Sequence, residues 1–232
     1  MKKEITTLKD VREYVGEKYW EKGLSEKCSG YENASIDWWW NLRWLQCWNQ
    51  IFPSRDKVVL DLGCGLGGFV AALLTAAGAD AHGIDISEYA INKGHQLYEP
   101  ITQRTSVGSI HDLSMFPDNR VDYIYSMQVF EHLPEDLTDT MIAEMSRVLK
   151  LGGQVWAALV LGNGRSADDN DLSHINIHPR EWWDEKCVAQ GLVPDQDADR
   201  RLRNTTAGPD NPGYSYFKDF GWHSICYRKI HV

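Results

Sequence analysis

The segment VLDLGCGLGGF, residues 59–69, carries glycines at spacings typical of a ligand-binding turn. Gly63, Gly65 and Gly68 fit the pattern G-x-G-x-x-G, which holds the diphosphate of a dinucleotide. Gly63, Gly65 and Gly67 fit the pattern G-x-G-x-G equally well. Because glycine has no Cβ, the backbone can approach a ligand closely in either case. The spacing therefore predicts a ligand-binding turn and leaves its ligand open.

Asp61, two residues before the first glycine, bears on the choice of ligand. At the end of a strand its carboxylate would face the ligand, and it would repel a diphosphate at short range. S-Adenosylmethionine carries an ammonium and a sulfonium, which the same carboxylate would attract. Asp85 can accept hydrogen bonds from ribose hydroxyls, which S-adenosylmethionine and NAD both have. Alternatively, it can act as a negative charge at a helix N-terminus. The sequence therefore favours S-adenosylmethionine over NAD.

The glycine turn lies in a chain that alternates apolar strand patterns with helical ones. The predicted strands are residues 57–63, 79–87, 105–110, 121–127 and 154–160. The predicted helices are residues 9–22, 35–51, 67–77, 87–97, 135–149 and 179–190, and a turn is predicted at LKLGG. Such alternation predicts a parallel sheet with helices on both faces, and the aromatic runs around Gly221 should close it as a hairpin-like pair. Ligands of such sheets bind at the carboxyl ends of the strands, where the glycine turn lies.

The N-terminal region is rich in tryptophan. One predicted helix holds Trp38, Trp39, Trp40, Trp44 and Trp48. The last three repeat every four residues, so we expect a stripe that packs on the main domain. The alternative is that some of these rings wall an organic acceptor. We expect a helical cap over residues 1–52 and one Rossmann-like domain over residues 53–232, a single domain overall.

Composition narrows the class of protein. The 232 residues carry a net charge of −9, which argues against a general binder of nucleic acid or anionic membranes. The five cysteines are scattered without C-x-x-C spacing, which predicts reduced thiols in a cytoplasmic protein. The N-terminus has no apolar core of a signal peptide, and no run of about 18 apolar residues predicts a transmembrane helix.

Four segments, VLDLGCGLGG, GIDIS, VDYIYSMQVFEHL and RVLKLGG, resemble the successive motifs of the class I S-adenosylmethionine-dependent methyltransferases. The resemblance covers residues 56–160 in the right order. It implies a Rossmann-like, doubly wound, mostly parallel seven-stranded sheet with helices on both faces and an antiparallel C-terminal strand. It also implies S-adenosylmethionine as cofactor and S-adenosylhomocysteine as product.

The same resemblance implies where the cofactor is held. The glycine turn would line its methionine end, Asp85 would hold the ribose, and Ser109 with Ile110 would flank the adenine. Many members have an acid in place of Ser109, so the adenine contact would come here from the hydroxyl, from His111 or Asp112, or from backbone. The full predicted set is Asp61, Gly63, Cys64, Gly65, Gly67, Asp85, Ile86, Ser109, Ile110 and Gln128.

Catalytic candidates follow from the chemistry of methyl transfer. The enzyme mainly aligns the nucleophile, but a hydroxyl of high pKa also needs a base, which near neutral pH is usually histidine. In this family the segment after the fifth strand, DLSHINIHPREWW, lies on the acceptor side, and SMQVFEHL, with Gln128, Glu131 and His132, runs beside the methyl group. We predict His174 as base, Asp171 as its orienting or acceptor-binding partner, and His132 as a further catalytic residue. The alternative is that these side chains only hold the loop.

A metal site is not expected. His174 and His178 have the i, i+4 spacing of a zinc pair on a helix. However, Ile175 and Ile177 alternate between them and Pro179 follows, which is typical of extended chain. A magnesium site built from acidic residues stays open, although no cluster of acids demands it.

The leading prediction is O-methylation of a sugar or other hydroxyl-bearing small molecule. Two short segments, DLSHINIHPREWW and SGYEN, resemble stretches of bacterial methyltransferases that act on surface sugars and polysaccharide precursors. The expected partner is thus a small-molecule or glycan-precursor acceptor, with no nucleic acid and no membrane. The alternatives are N- or C-methylation of a metabolite, a non-catalytic S-adenosylmethionine-binding protein, and an NAD dehydrogenase.

Overall fold

The computed structural model describes residues 4–22, 38–165, 171–206 and 223–230. Within them, one sheet has the strand order β3-β2-β1-β4-β5-β7-β6. The strands are β1 (Val58–Leu62), β2 (Asp80–Asp85), β3 (Thr105–Val107), β4 (Val121–Met127), β5 (Leu149–Leu159), β6 (Leu192–Pro194) and β7 (His223–Lys229). Strands β1 to β5 pair in parallel, whereas β7 runs antiparallel to both β5 and β6. The predicted Rossmann-like, mostly parallel sheet with an antiparallel C-terminal strand is confirmed.

Helices cover both faces of this sheet. They are α1 (Leu8–Tyr14), α2 (Glu17–Lys22), α3 (Trp38–Ile51), α4 (Gly68–Ala72), α5 (Glu88–Leu97), α6 (Thr138–Val148), α7 (Arg180–Ala189) and α8 (Gln196–Thr206). Apolar residues of α6 and α7 share a buried cluster with Leu60, while those of α3, α4 and α8 share another with Val59. Adjacent residues of a strand point to opposite faces, so these two clusters are the two sides of one sheet.

Strand β1 lies at the centre of the sheet between β2 and β4, and all five of its residues are buried. Burial on both faces explains why VVLDL is a continuous apolar run rather than an alternating one. Asp61 interrupts this run, in register with Gly83 of β2 and Tyr125 of β4. The strand order reverses between β1 and β4, so the glycine turn after β1 sits where ligands of such folds bind.

Several helices differ from their predicted bounds. The predicted helix over residues 9–22 is two helices, because Val15 leaves the helical conformation (φ −82°, ψ 35°) just before Gly16. The predicted helix over residues 67–77 is α4 followed by a π-helical turn, and it ends at Gly78 (φ 69°) as expected. Pro179 is the N-cap of α7 rather than part of its first turn. Helix α8 was not predicted.

The strands differ in three places. Strand β3 stops at Val107 rather than at residue 110, because the chain turns where the amide of Asp112 donates to the carbonyl of Ser109 (3.0 Å). Strand β5 begins at Leu149, so LKLGG is part of a strand with a register shift rather than a turn. Strand β6 was not predicted, and it is the edge neighbour of β7. The first aromatic run of the expected hairpin, the segment SGYEN and Gly221 lie outside the described residues.

The tryptophan stripe packs on the sheet as expected for Trp44 and Trp48. Both are buried, and their rings contact Tyr125 and Trp156 of neighbouring strands. The side chains of residues 38–40 lie outside the description. In the part of the chain that is described, no helix is long and apolar enough to cross a membrane.

Candidate active site

A cavity of about 230 Å³ lies at the carboxyl ends of β1, β2 and β4. Its roof includes Val11, Val15 and Trp20 of the N-terminal segment. The predicted site residues that line it are Asp61, Gly63, Cys64, Gly65, Asp85, Ile86, Ser109, Ile110, Gln128, His132 and His174. Gly67 and Asp171 were predicted too and lie behind this lining. The fold therefore brings residues from five separate segments to one cavity.

The backbone of the glycine turn requires glycine at three positions. Gly63, Gly65 and Gly67 have φ values of 77°, 54° and 74°, whereas Gly68 is the first residue of α4. A Cβ at Gly63 would lie 2.2 Å from Val129 Cγ2, and one at Gly65 would lie 2.7 Å from Trp20 Cη2. The G-x-G-x-G pattern thus matches the positions that need positive φ.

Asp61 presents a buried carboxylate to the cavity. It is 2% exposed, and no described residue donates a hydrogen bond to it. Burial, and secondly the nearby charge of Asp85, raise the pKa of this carboxyl well above its ordinary range. A buried carboxylate without a partner is costly, and a positively charged ligand would stabilise its ionised form.

Asp85 is held by two backbone donors. Its Oδ2 accepts from the amide of Gly65 and its Oδ1 from the amide of Ser87, both at 2.8 Å. Burial raises the pKa of Asp85, and these two hydrogen bonds oppose the rise. Each carboxylate oxygen retains acceptor capacity. Ser87 then caps α5 through its hydroxyl, which accepts from the amide of Ala90.

Gln128 lies at the end of β4 in a strained conformation. Its φ is 57°, in the region that favours glycine, and its amide donates to the carbonyl of Ala158 at 2.7 Å. Its side-chain Nε2 is buried and has no hydrogen-bond partner among the described residues. Strain at a buried, unsatisfied donor is typical of a ligand-binding position.

The predicted adenine end holds Ser109 and Ile110. The hydroxyl of Ser109 lies 2.7 Å from Nδ1 of His111, so this serine already has a side-chain partner. Gly108 fits closely at the same place, because a Cβ there would lie 2.6 Å from Ile84.

Two imidazoles stand at one end of the cavity. The rings of His132 and His174 lie 4.8 Å apart, centroid to centroid. His174 Nε2 is 3.8 Å from Asp171 Oδ2. The Oγ of Ser173 donates to Asp171 Oδ1 (2.5 Å) and lies 2.8 Å from His132 Nδ1. Since the single hydroxyl proton goes to Asp171, Ser173 accepts from Nδ1–H of His132, and the lone pair of that ring is on Nε2.

Glu131 lies behind the imidazoles and fastens the segment that carries His174. Its backbone carbonyl accepts from the amides of Ile175 (2.9 Å) and Asn176 (3.0 Å), and its Oε1 accepts from the amide of Val160 (3.3 Å). The side chain is fully buried, and Oε2 has no hydrogen-bond partner among the described residues. Burial raises the pKa of Glu131 to about 7.

His178 points away from this cluster. Its Nε2 lies 3.1 Å from Glu135 Oε2, and its ring stacks on Trp182 with centroids 3.8 Å apart. The extended segment therefore separates His174 from His178, as the alternation of Ile175 and Ile177 indicated.

The sequence did not predict the roof of the cavity. Trp20 Nε1 lies 3.0 Å from Ser87 Oγ and 3.2 Å from the Val15 carbonyl, and its ring lies over Gly65. Ser173 was missed as well. A lone tryptophan in a polar helix and a serine beside a predicted catalytic histidine were the only signals in the sequence.

Parts of this chain are similar in sequence to proteins of known activity. Residues 59–153 match a family described as "Methyltransferase domain". The chain is 32% identical over 127 residues to the ubiquinone biosynthesis O-methyltransferase of Thiobacillus denitrificans, covering 54% of this chain and 52% of that protein. It is 30% identical over 135 residues to the 2-methyl-6-phytyl-1,4-hydroquinone methyltransferase of Synechocystis sp., covering 58% of this chain and 38% of that protein. The chain thus spans about half or less of the length of these curated relatives.

A solved structure shares the fold. Phosphoethanolamine N-methyltransferase 2 of Haemonchus contortus, in complex with S-adenosyl-L-methionine, matches with a TM-score of 0.63 and 16% identity. The match covers 95% of this chain and 60% of that chain. Residues 59–153 therefore form a methyltransferase domain, and its motifs around the glycine turn resemble those of the class I S-adenosylmethionine-dependent methyltransferases.

Proposed function

We propose that this chain methylates a hydroxyl group of a small metabolite and uses S-adenosylmethionine as the methyl donor. The observation that carries the proposal is the pair of imidazoles, His132 and His174, in the same cavity as Asp61 and the glycine turn. A proton acceptor beside a cofactor site is what transfer to an oxygen requires and what transfer to a free amine does not.

The residues present fit this cofactor. The turn from Gly63 to Gly67 has the positive φ angles of a glycine turn, and Gln128 Nε2 offers a buried donor. Asp61 accepts no hydrogen bond from a described residue, so its carboxylate is available to a cation. Asp85 would hold the ribose, with Ser109 and Ile110 at the adenine. When bound, S-adenosylmethionine supplies a methyl group on a positively charged sulfur. Asp61 and Gln128 fix its orientation, and the roof from Val11 to Trp20 excludes water.

His174 is the base that we place first. Its ring lines the cavity, and Asp171 Oδ2 at 3.8 Å would stabilise the imidazolium that forms when the ring takes the hydroxyl proton. His132, with its lone pair set on Nε2 by Ser173, presents a second proton-accepting nitrogen at the same end. Asp171 therefore supports both imidazoles.

The acceptor fits best as a hydroxyl-bearing molecule with an apolar body. The apolar residues that line the cavity include Leu8, Val129 and Leu133. One relative is named for a phytyl hydroquinone, which joins ring hydroxyls to an apolar chain, and another for O-methylation in ubiquinone biosynthesis. A sugar with an exposed CH face is the other acceptor of this class.

The test is production of S-adenosylhomocysteine with a panel of phenols, hydroquinones, sugars and amines. We expect turnover with a hydroxyl acceptor, and a loss of turnover in His174→Ala while calorimetry shows nearly unchanged cofactor affinity. His178→Ala is the matched control, because that ring lies outside the cavity. Turnover that survives His174→Ala would point to N- or C-methylation, and cofactor binding without turnover on any acceptor would point to a non-catalytic binder.

A further inference from the structure

Three potential ligand groups meet at the imidazole end of the cavity. One ligand atom each from Glu131, His132 and His174 lies within 4.8 Å of the others. They come from two distant segments, the end of β4 and the segment after β5. We propose that these three side chains bind one divalent first-row transition ion, of the class of Zn²⁺ or Mn²⁺. The site itself is independent of the proposed function, but its role in the reaction rests on that function.

Glu131 is the observation that points to a bound cation. Its side chain is fully buried, and its Oε1 accepts from the amide of Val160. Oε2 has no hydrogen-bond partner among the described residues. A buried carboxylate oxygen without a donor costs free energy, and a cation between it and the two imidazoles would remove that cost.

His132 is already oriented as a metal ligand would be. Its Nδ1–H donates to Ser173, whose hydroxyl donates to Asp171, so Nε2 carries the lone pair. A histidine ligand commonly donates its other N–H to a carboxylate or similar acceptor, which fixes the tautomer and the direction of the ring. The relay from His132 through Ser173 to Asp171 has this arrangement.

The ligand set selects the class of ion. Two imidazoles and one carboxylate suit zinc and other first-row transition ions, whereas magnesium prefers oxygen ligands throughout. Bound ligand atoms would lie about 3–4 Å apart, given metal–ligand distances of about 2 Å. The present spread of 4.8 Å would therefore narrow by about 1 Å on binding, given the same metal–ligand distances.

With three protein ligands, a bound ion would have a coordination position left for a further ligand, as in catalytic zinc sites. A hydroxyl held there would have a lowered pKa. Its proton would leave to solvent, and its oxygen would form the new bond to the methyl carbon as the carbon–sulfur bond breaks. When the ion is bound, His132 and His174 act as its ligands. His174 then acts as a base only in the metal-free protein. The sequence-based expectation of no metal site considered the pair His174 and His178. The fold separates these two residues.

The experiment uses Co²⁺ as a spectroscopic probe and calorimetry with Zn²⁺ on the metal-free protein. We expect one ion per chain and a visible Co²⁺ spectrum typical of nitrogen and oxygen ligands. Glu131→Gln and His132→Asn should each weaken binding at least about tenfold, while His178→Asn should bind as the parent does. Circular dichroism shows whether the Glu131→Gln variant folds. If that variant does not fold, His132→Asn, at a partly exposed position, provides the binding test.

Two results overturn the site: no ion bound by folded protein, or binding that the Glu131 and His132 substitutions leave unchanged. Turnover separates this proposal from the proposed function. Full methylation of a hydroxyl acceptor by chelator-treated protein would leave His174 as the base and overturn the role of the ion. One bound ion without methylation of any hydroxyl acceptor would instead support the site and count against the proposed function.

Discussion

The hydroxyl of Ser173 lies 2.8 Å from Nδ1 of His132, across 41 positions of the chain. This contact joins the end of β4 to the segment after β5, and it sets which nitrogen of the imidazole can accept a proton. The tautomer of His132, which lines the cavity, therefore depends on Ser173, which does not line it.

Ser173→Ala should slow turnover while cofactor affinity stays the same. Without the hydroxyl, His132 is free to change tautomer, and supporting residues of this kind commonly contribute about 10–100-fold. The measurement is the rate of S-adenosylhomocysteine formation beside calorimetric cofactor affinity. Ser146→Ala is the matched control, since its hydroxyl bonds only a carbonyl on the surface. Equal rates in both variants would remove Ser173 from the catalytic arrangement.

Gly65→Ala should weaken cofactor binding more than it weakens the fold. Gly65 and Gly152 both have positive φ, so alanine costs about 1–2 kcal/mol of backbone strain at either position. Only at Gly65 does the added Cβ also meet a side chain, Trp20 at 2.7 Å, whereas nothing lies within 4 Å at Gly152. Thermal unfolding and cofactor titration of the two variants separate strain from crowding. Equal cofactor affinity in both would contradict the position given to the turn.

Trp20→Phe should speed release of the cofactor. The substitution keeps an aromatic ring in the roof but removes the indole N–H that reaches Ser87 Oγ, together with the far edge of the indole that lies over Gly65. Losing one such hydrogen bond costs about 1 kcal/mol, or roughly a fivefold change in affinity. Stopped-flow fluorescence would follow the release rate. Tyr89→Phe, which removes an exposed hydrogen bond to Glu21, is the control. An unchanged release rate would show that the roof does not retain the cofactor.

The parts of the fold that follow from local pattern could be predicted. Strand β1 is fully buried, and a fully buried strand has a continuous apolar sequence. The apolar run that ends at the glycines therefore predicted this strand. The spacing of Trp44 and Trp48 gave the buried face of α3 in the same way. Strand β6 could not be predicted, because three residues containing Pro194 become a strand only when β7 lies beside them.

Cavity-lining residues that belong to one segment could be predicted, whereas contacts between two segments could not. Asp61 and the glycines are local, and their positions follow from the strand that precedes them. The positive φ of Gln128, the ring of Trp20 over Gly65 and the pairing of Ser173 with His132 depend on tertiary contacts. No residue spacing encodes such contacts, so they required the structure.

Cofactor affinity should rise with pH because of Asp61. Burial raises the pKa of this carboxyl, so the folded protein takes up its proton more readily than the unfolded chain does. This group therefore stabilises the fold at low pH, and the contribution is lost as pH rises from its ordinary pKa through the raised one. A cationic ligand needs the ionised form, so binding below the raised pKa releases a proton. Calorimetry in buffers of different ionisation heat would measure the number of protons released on binding. The Asp61→Asn substitution should abolish this release.

The most direct test of the account is a titration of S-adenosylmethionine into Asp61→Asn beside the parent protein. The substitution keeps the size of the side chain and removes its charge. We expect affinity to fall by about 1–3 kcal/mol, the range for a charge-assisted contact, with the fold intact by circular dichroism. Unchanged affinity in the folded variant, or tighter binding of NAD than of S-adenosylmethionine by the parent, would contradict the claim that this carboxylate selects a positively charged nucleoside.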